Sequence, residues 1–580
     1  MLYENYIRVL YIDLTKKKIR FENRTDIFDF LGGSGVSSQI FSELVKPDKD
    51  AFDPEQPIVF AIGPMSTIYP ACTKVTCSFR SPVTGEYGES HAGGRLAMAI
   101  RLAGIDAFVI TGASADPIYI TIKPDDLTFH DAEALWGMPT MDAGRHMREM
   151  AGKSGNRSIM RIGPAGTNLV PIANVNVDSY RHFGRLGLGA VFGSKKLMGI
   201  VVSGEKDFVI KNPKEYNAIY DQVFNITHNT PAMAKYHELG TPKNVIPLNM
   251  INALPTLNLK QSNYEYAKNI SGEAFAEEVL LRKVSCTGCP VGCIHLGNLR
   301  VMFDKGYEYE STAVSYDHEL VFSMGSEVGM KNTTDVLRLI EVAEETGIDG
   351  ISAGVIAGFI TEALEKGILT VNETLVDLKF GDVEGYVKVL NYISNPPNEV
   401  YRELGKGLYA FTKNRNDKSY DYALQIGGNE IPGYFTGPAN LLGMLTGVRH
   451  SHCDNGGYSL DQKIKDGTVD NIVDGIIKEE ASRSTMTSLV ICLFAREVYE
   501  FDLVSKALGV LGINKTPQEL EDLGRRILKN KLSIRSKLGF NIDNYPLANR
   551  FFETKCPRGL IDNGFMKDVI ASYKEKIEKL

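Results

Sequence analysis

The sequence predicts an α+β protein in which a β-rich N-terminal third is followed by two mainly helical thirds. Three observations predict it. Short β-type runs punctuated by Gly and Pro crowd the segment up to about residue 210. Apolar residues spaced at helical period dominate after it. The chain has 580 residues, 43% hydrophobic and 23% charged, which is ordinary for a globular protein and long enough for several domains around ample core.

The opening segment alternates from Tyr6 to Asp13 and reads as a first strand; a signal peptide would have a basic start and an apolar run. Further strands are expected at 58–62, 75–79, 107–110, 118–121 and 198–202, with Gly63-Pro64 and Gly163-Pro164-Ala165-Gly166 among the turns. Val336, Leu339, Ile340 and Ala343 share one helical face, which Thr333 or Thr334 can cap and Gly347 can end. Other helices are expected near 351–366, 397–413, 471–479 and 516–530. No internal repeat or long low-complexity segment stands out.

A net charge of -7 argues against nucleic acid as a partner. No run approaches the roughly 20 apolar residues of a membrane-spanning helix. Eight cysteines are too few for a disulfide scaffold, so the cytoplasm is the expected compartment.

Cys286-Thr287-Gly288-Cys289-Pro290-Val291-Gly292-Cys293 is the sharpest local signal. Cys-x2-Cys-x3-Cys on a Gly-bearing loop suits an iron–sulfur cluster or zinc. Zinc sites more often pair two Cys-x2-Cys units, and no second unit is visible. The radical-SAM order, Cys-x3-Cys-x2-Cys, is not met. A cubane cluster wants a fourth ligand, and spacing leaves Cys72, Cys77, Cys453, Cys492 and Cys556 open.

Gly93-Gly94 and the 184–193 segment keep side chains clear of backbone N–H groups that can meet phosphate, and Arg185 can add charge-assisted bonds. Neither nucleotide motif fits, since Gly187–Gly193 is one residue too long for GxGxxG and Gly193-Ser194-Lys195-Lys196 is not a phosphate loop. Glu308 and Glu310 face one way on an extended segment and can act as acid and base, or simply form a solvated edge. Arg449-His450-Ser451-His452-Cys453-Asp454-Asn455 is the densest cluster of reactive side chains, too tightly spaced for zinc without distant ligands.

Several blocks in order resemble the tungsten-containing aldehyde:ferredoxin oxidoreductase family over nearly the whole chain. They include Leu31-Gly32-Gly33-Ser34-Gly35, Ile62-Gly63-Pro64-Met65, Gly88-Glu89-Ser90-His91-Ala92-Gly93-Gly94, Gly184-Arg185-Leu186-Gly187, the cysteine loop and Gly347-Ile348-Asp349-Gly350. The resemblance implies a divergent member with a pterin-binding base (1–210) under two helical domains (211–415 and 416–580). It implies a tungsten or molybdenum bis-pterin, with magnesium able to bridge its phosphates. It also implies a 4Fe-4S cluster on Cys286, Cys289, Cys293 and Cys492. Pterin contacts would come from Lys74, His91, Gly93, Gly94, Gly184 and Arg185, and from two segments of the pattern Asp-x-x-Gly-Leu-Asp/Cys. The first maps to Glu344–Asp349, with Glu344, Gly347, Ile348 and Asp349 in contact. The second maps to Thr487–Cys492, through Ile491, and has lost its Asp and its Gly. Lys74 and His91 stand where the family often has Arg and Asn.

Glu310 and His452 take the catalytic positions in this resemblance. The implied activity oxidises an aldehyde to an acid and passes electrons to ferredoxin or an iron–sulfur partner subunit. Reduction of an aromatic thioester or carboxylic acid is the alternative, as is an electron-transfer or scaffold subunit without pterin metal. A homodimer is compatible, but no His has Glu three positions earlier, so a shared Glu-x-x-His iron is not expected.

Overall fold

The structure, a computed structural model, describes residues 2–151 and 156–580. Its N-terminal third holds two six-stranded sheets. The first comprises β1 (Ile7–Asp13), β2 (Lys18–Arg24), β3 (Ile58–Ala61), β4 (Val75–Arg80), β5 (Tyr87–Ala92) and β6 (Ala107–Thr111), in the order β2-β1-β6-β3-β4-β5. The second comprises β7 (Ile118–Lys123), β8 (Asp126–Asp131), β9 (Arg157–Arg161), β10 (Val175–Val177), β11 (Arg181–Phe183) and β12 (Leu197–Ser203), in the order β8-β7-β12-β9-β10-β11. All five expected runs are strands.

The two sheets follow one plan. In each, the first strand pairs antiparallel with the second and parallel with the sixth, and the remaining pairings are antiparallel. Two short sequences echo the plan. Ile62-Gly63-Pro64 leaves β3 and Ile162-Gly163-Pro164 leaves β9; Gly94-Arg95-Leu96 follows β5 and Gly184-Arg185-Leu186 follows β11. The internal repeat not apparent in the sequence is therefore present in the structure. Only the turns kept their residues, because a strand tolerates any apolar filling of the right volume while a tight turn does not. One core joins the sheets, with Phe60 stacked on Phe108 at 4.6 Å and Phe183 edge-on to Phe60 at 5.4 Å.

The helices that matter most are α1 (Gly33–Leu44), α2 (Thr333–Thr346), α3 (Gly350–Glu365), α4 (Val469–Ser488) and α5 (Pro517–Lys537). The apolar stripe of α2 is buried as its spacing predicts, but its N-cap is Asn332, whose side chain accepts from the Asp335 N–H. Thr333 instead donates to Glu278. The helix expected over 397–413 is broken at Gly405-Lys406-Gly407, where Gly407 has φ 95°. Helix α4 runs well past its predicted end because Glu480, Arg483, Ser484, Thr485, Thr487 and Ser488 are all buried, which erases the apolar pattern.

Buried cores run across residue 415 in the helical part. One core unites Val336 and Phe359 with Phe435, Phe551 and Val569. A second unites Ile219, Val223 and Val291 with Leu489, Val504 and Ile527, and with Met65 and Tyr69 of the base. A three-stranded sheet, β13 (Leu280–Val284), β14 (Ile294–Asp304) and β15 (Glu308–Tyr316), carries the cysteine loop between its first two strands.

Helices α2 and α4 end alike. Gly347 closes α2 at φ 72° and Val490 closes α4 at φ 56°. Ile348 N–H donates to Ala343 O at 3.2 Å, and Ile491 N–H to Met486 O at 3.0 Å. Each end then sits on one repeat of the base. Asn174 N–H reaches Gly347 O at 2.9 Å and Lys74 N–H reaches Val490 O at 3.4 Å; Asp349 N–H reaches Ile172 O and Cys492 N–H reaches Ala71 O, both at 2.9 Å. A Cβ on Gly163 would lie 2.7 Å from Thr346 O, and one on Gly63 2.9 Å from Ser488 O. The Gly missing from the second motif is thus replaced without change of backbone shape. The β-branched Val490 holds a left-handed conformation that costs about 1–2 kcal/mol.

Buried charges fasten α5 to the base. Lys531 lies 2.7 Å from Glu89, both almost fully buried, and His91 Nε2 donates to Glu89 Oε1 at 2.8 Å. Burial opposes the Glu89 charge, but Lys531 and His91 hold its pKa well below 4.5.

Gly163→Ala is expected to lose about 1–3 kcal/mol through overpacking against Thr140 and Thr346, read as a lowered thermal-unfolding midpoint. Gly306→Ala, in the open tip between β14 and β15, is the control and should not move it. Lys531→Met strands the Glu89 carboxylate and should cost about 3–5 kcal/mol at neutral pH. Because the folded pKa of Glu89 is depressed, its contribution is complete above about 4.5 and is lost as pH falls. Denaturant titrations should therefore show the gap between wild type and variant narrowing on acidification.

Candidate functional site

Where α2 ends and α3 begins, a cavity of about 200 Å³ opens between the helical part and the base. Lys74, His91, Gly93, Arg181, Gly184 and Arg185 line it from the base; Asp317, Leu320, Glu344, Ile348 and Asp349 line it from the helices. Most of the residues expected to hold a cofactor therefore share one space. Gly94 supports it from behind, at φ 93°, with its carbonyl accepting from Thr287 N–H at 3.1 Å. Gly347 shapes the turn of α2. Ile491 lies outside the cavity, buried among Leu489, Met486 and Ala495.

Arg185 is the most heavily engaged wall residue. Its Nε donates to Asp349 at 2.9 Å, and its Nη2 to Ser352 Oγ at 3.1 Å and Glu430 O at 2.8 Å. Arg185 Nη1 and Asn174 Oδ1 are buried without a protein partner. Such groups are costly unless a ligand or water satisfies them. Glu344 meets His182 Nε2 at 2.8 Å, so the acid that replaces the leading Asp of the first motif already has a cation-capable partner. Burial pushes the His91 imidazole down to about 4, helped by Arg449, so it is neutral and presents one N–H, used on Glu89.

The four thiols lie beside this cavity. A Cβ on Gly93 would come within 2.7 Å of Cys286 Sγ and 3.3 Å of Lys74 Nζ, so the Gly93 gap separates thiols from cavity by a single backbone. Burial raises Cys289 to about 12 and Cys293 to about 11, and the other thiols, Cys492 among them, add to the rise in each. Cys286 is lowered despite burial, by Lys74 and Arg181. Lys74 keeps its charge in turn because Cys492 and Cys286 offset its desolvation. Of the remaining cysteines, Cys72 is fully buried and bonded to Tyr499, and Cys77 and Cys556 are buried. Among the described residues no three His, Cys, Asp or Glu close around a point as a single ion requires. Cys286, Cys289, Cys293 and Cys492 lie near enough to raise one another's pKa, a grouping of soft thiols compatible with an iron–sulfur cluster.

Glu310 does not reach the site. It pairs with Val301 near the exposed tip of the β14–β15 hairpin, more than about 20 Å along the strand from the cysteine loop. The carboxylate that meets His452 is Glu319, on the turn His318–Val321 that follows β15. Glu319 Oε1 lies 3.2 Å from His452 Nε2 and accepts from Tyr434 OH at 2.7 Å. Both side chains keep 14% exposure inside an otherwise buried region. Burial disfavours the Glu319 charge, but His452 holds its pKa down, to about 2. Burial likewise disfavours the His452 cation, yet Cys453 and Glu319 raise it to about 10. The pair is carboxylate and imidazolium. Asp317, two residues before Glu319 and on the cavity wall, is pushed up to about 6 by burial and by Glu319 itself.

Asp317-His318-Glu319 was the signal that sequence reasoning passed over. An acid–His–acid triplet after a strand is a stronger mark of chemistry than the Glu308/Glu310 alternation, which belongs to a solvated hairpin. His450, the other histidine of its loop, is structural. It accepts from Arg535 Nη2 at 3.1 Å and its Nδ1 donates to Met444 O at 3.1 Å.

Residues 9–204 match the model of the aldehyde ferredoxin oxidoreductase N-terminal domain, and residues 218–578 match that of domains 2 and 3. The chain is 27% identical over 586 residues to a tungsten-containing aldehyde ferredoxin oxidoreductase of Thermococcus kodakarensis, covering 96% of this chain and 93% of the relative. It is 25% identical to an aliphatic sulfonate oxidoreductase, WOR-like subunit, of Pyrococcus furiosus, covering 90% and 84%. The fold matches the active site complex BamBC of benzoyl coenzyme A reductase with TM-score 0.83 at 22% identity, over 99% of this chain and 94% of that one. No helix among the described residues is long and apolar enough to cross a membrane. With both domain models matched in order along almost all of its length, the chain belongs to the aldehyde ferredoxin oxidoreductase family.

Proposed function

We propose that this protein is a tungsten- or molybdenum-pterin oxidoreductase that oxidises an aldehyde to a carboxylic acid. A 4Fe-4S cluster held by Cys286, Cys289, Cys293 and Cys492 would supply the way out for electrons, to ferredoxin or an iron–sulfur partner subunit. The observation that carries the reading is a cavity with unsatisfied polar walls that has Cys286 behind Gly93 on one side and, two residues beyond its wall residue Asp317, the Glu319–His452 acid–imidazolium pair.

The residues present fit the groups. Arg185 Nη1 and Asn174 Oδ1 wait for polar partners at the wall, and Gly93 leaves room for close approach. Arg185, Lys74 and Gly184 would hold the pterin phosphates and any accompanying magnesium, while Glu344, Ile348 and Asp349 would hold the pterin rings. Cys286, Cys289, Cys293 and Cys492 would hold the cluster. When bound, the pterin metal supplies the two-electron redox step.

The protein's own work is proton handling and positioning. His452, kept cationic, donates to the carbonyl oxygen and draws electron density from the carbon that water must reach. Glu319, kept ionised and oriented by Tyr434, accepts the proton that the added water gives up. Asp317, pushed up to about 6, is mostly ionised at neutral pH and can take up a proton on the cavity side. Lys74 stands between cavity and thiols, its charge offsetting theirs where electrons must cross.

A viologen-linked screen of aldehydes on anaerobically purified protein tests the reading. Glu319→Gln and His452→Asn should each lower kcat about 10²–10⁴-fold, while Glu310→Gln leaves it unchanged. Loss of activity in Glu310→Gln with Glu319→Gln unaffected would overturn the assignment. Turnover of an aromatic thioester with no aldehyde oxidised would replace the substrate class.

A further inference from the structure

Beside the Glu319–His452 pair stands a nucleophile for which aldehyde oxidation by that pair has no use. Cys453 follows His452 on the turn His452–Asn455, and its Sγ lies 3.3 Å from His452 Nε2, the same nitrogen that faces Glu319 at 3.2 Å. Cys453 is half-buried, unlike Cys72, Cys77 and Cys556, and so borders the space that His452 and Glu319 share. Two phenols wall that space: Tyr434 and Tyr458 stack at 4.3 Å, with Tyr458 edge-on to His452 at 5.9 Å.

Cations on its own loop and on α4 favour a reactive thiol. His452 and Arg449 come from its own loop, and Arg483 of α4 donates to the Cys453 carbonyl at 3.0 Å. Glu319 opposes them from across the space, and Tyr434 and Tyr458 are neutral. Against burial, which raises it, His452 and Arg449 bring the thiol to about 7. Sulfur and imidazole form a thiolate–imidazolium pair of the kind that activates nucleophilic cysteines.

We propose that Cys453 captures the carbonyl substrate as a thiohemiacetal, holding its carbon beside Glu319 and His452. The sulfur lone pair forms the C–S bond, the carbonyl π pair moves onto oxygen, and the His452 imidazolium gives that oxygen its proton. No electron leaves the system, so the step needs no oxidant and reverses freely. The inference rests on the carbonyl-substrate reading above and adds to it a covalent hold on the substrate.

The test is alkylation of the as-isolated protein by iodoacetamide, anaerobically at neutral pH, scored at Cys453 by peptide mass. Cys453 should react at least ten-fold faster than Cys72, Cys77 and Cys556. Butyraldehyde should slow it at least ten-fold, and butyrate, which fills the same space without an electrophilic carbon, should not. His452→Asn should remove both the fast reaction and the aldehyde effect. Equal protection by butyraldehyde and butyrate, or a Cys453 as slow as the buried thiols, would overturn the proposal. Cys453→Ala oxidising aldehydes with wild-type kcat/KM would overturn it while leaving the oxidation reading intact. Aldehyde protection of Cys453 in a protein that oxidises no aldehyde would uphold capture and remove that reading.

Discussion

Two helix C-termini pressed onto two glycine turns set the geometry on which the rest of this molecule depends. Gly63 and Gly163 each begin a turn leaving the third strand of a six-stranded repeat, and each is approached by the last carbonyls of a helix from elsewhere in the chain. The approach is too close for any side chain. It brings the residues just past α2, Ile348 and Asp349, and just past α4, Ile491 and Cys492, down onto the base at equivalent places. One seat delivers cavity wall and the other delivers a thiol. A shift of an ångström at either seat would part the thiols from Lys74 or open the wall at Asp349, which is the tolerance on which positioned chemistry depends.

Buried ion pairs then fix how the C-terminal helices close over that base. Lys531 meets Glu89, Arg535 meets Glu86 at 3.2 Å, and Arg185 meets Asp349. Each pair is costly to desolvate and contributes little net stability, but each punishes a wrong register severely once formed. Glu86 is completed by Tyr545 at 2.7 Å, and Arg535 stacks over Phe540 at 3.6 Å. The same logic reaches the Glu319–His452 pair. His452 is cationic only because Glu319 and Cys453 face it, so an unpaired partner would change its charge as well as its place.

The legible parts of the sequence were those where one residue type answers one physical need. Strands showed through their apolar runs, the α2 stripe through its period, and the cysteine loop through thiol spacing. The repeat was hidden because the runs that both copies share, Ile-Gly-Pro and Gly-Arg-Leu, are too short to stand out in the sequence. Helix α4 was cut short because its last turns bury polar side chains that meet other elements rather than water. Glu310 was expected at the site, whereas the β14–β15 hairpin carries the Glu-Tyr-Glu motif away from the cavity, and register along a strand says nothing about how far the strand projects. Val490 stands where the second motif lacks its glycine, yet neighbouring contacts hold the same left-handed backbone.

Metal content tests the central claim most directly. Protein purified anaerobically from a host able to make the pterin cofactor should carry about one tungsten or molybdenum and about four iron atoms per chain. Iron with neither tungsten nor molybdenum would contradict the oxidoreductase account and leave the thiol site alone standing. Absence of iron as well would contradict the assignment of Cys286, Cys289, Cys293 and Cys492.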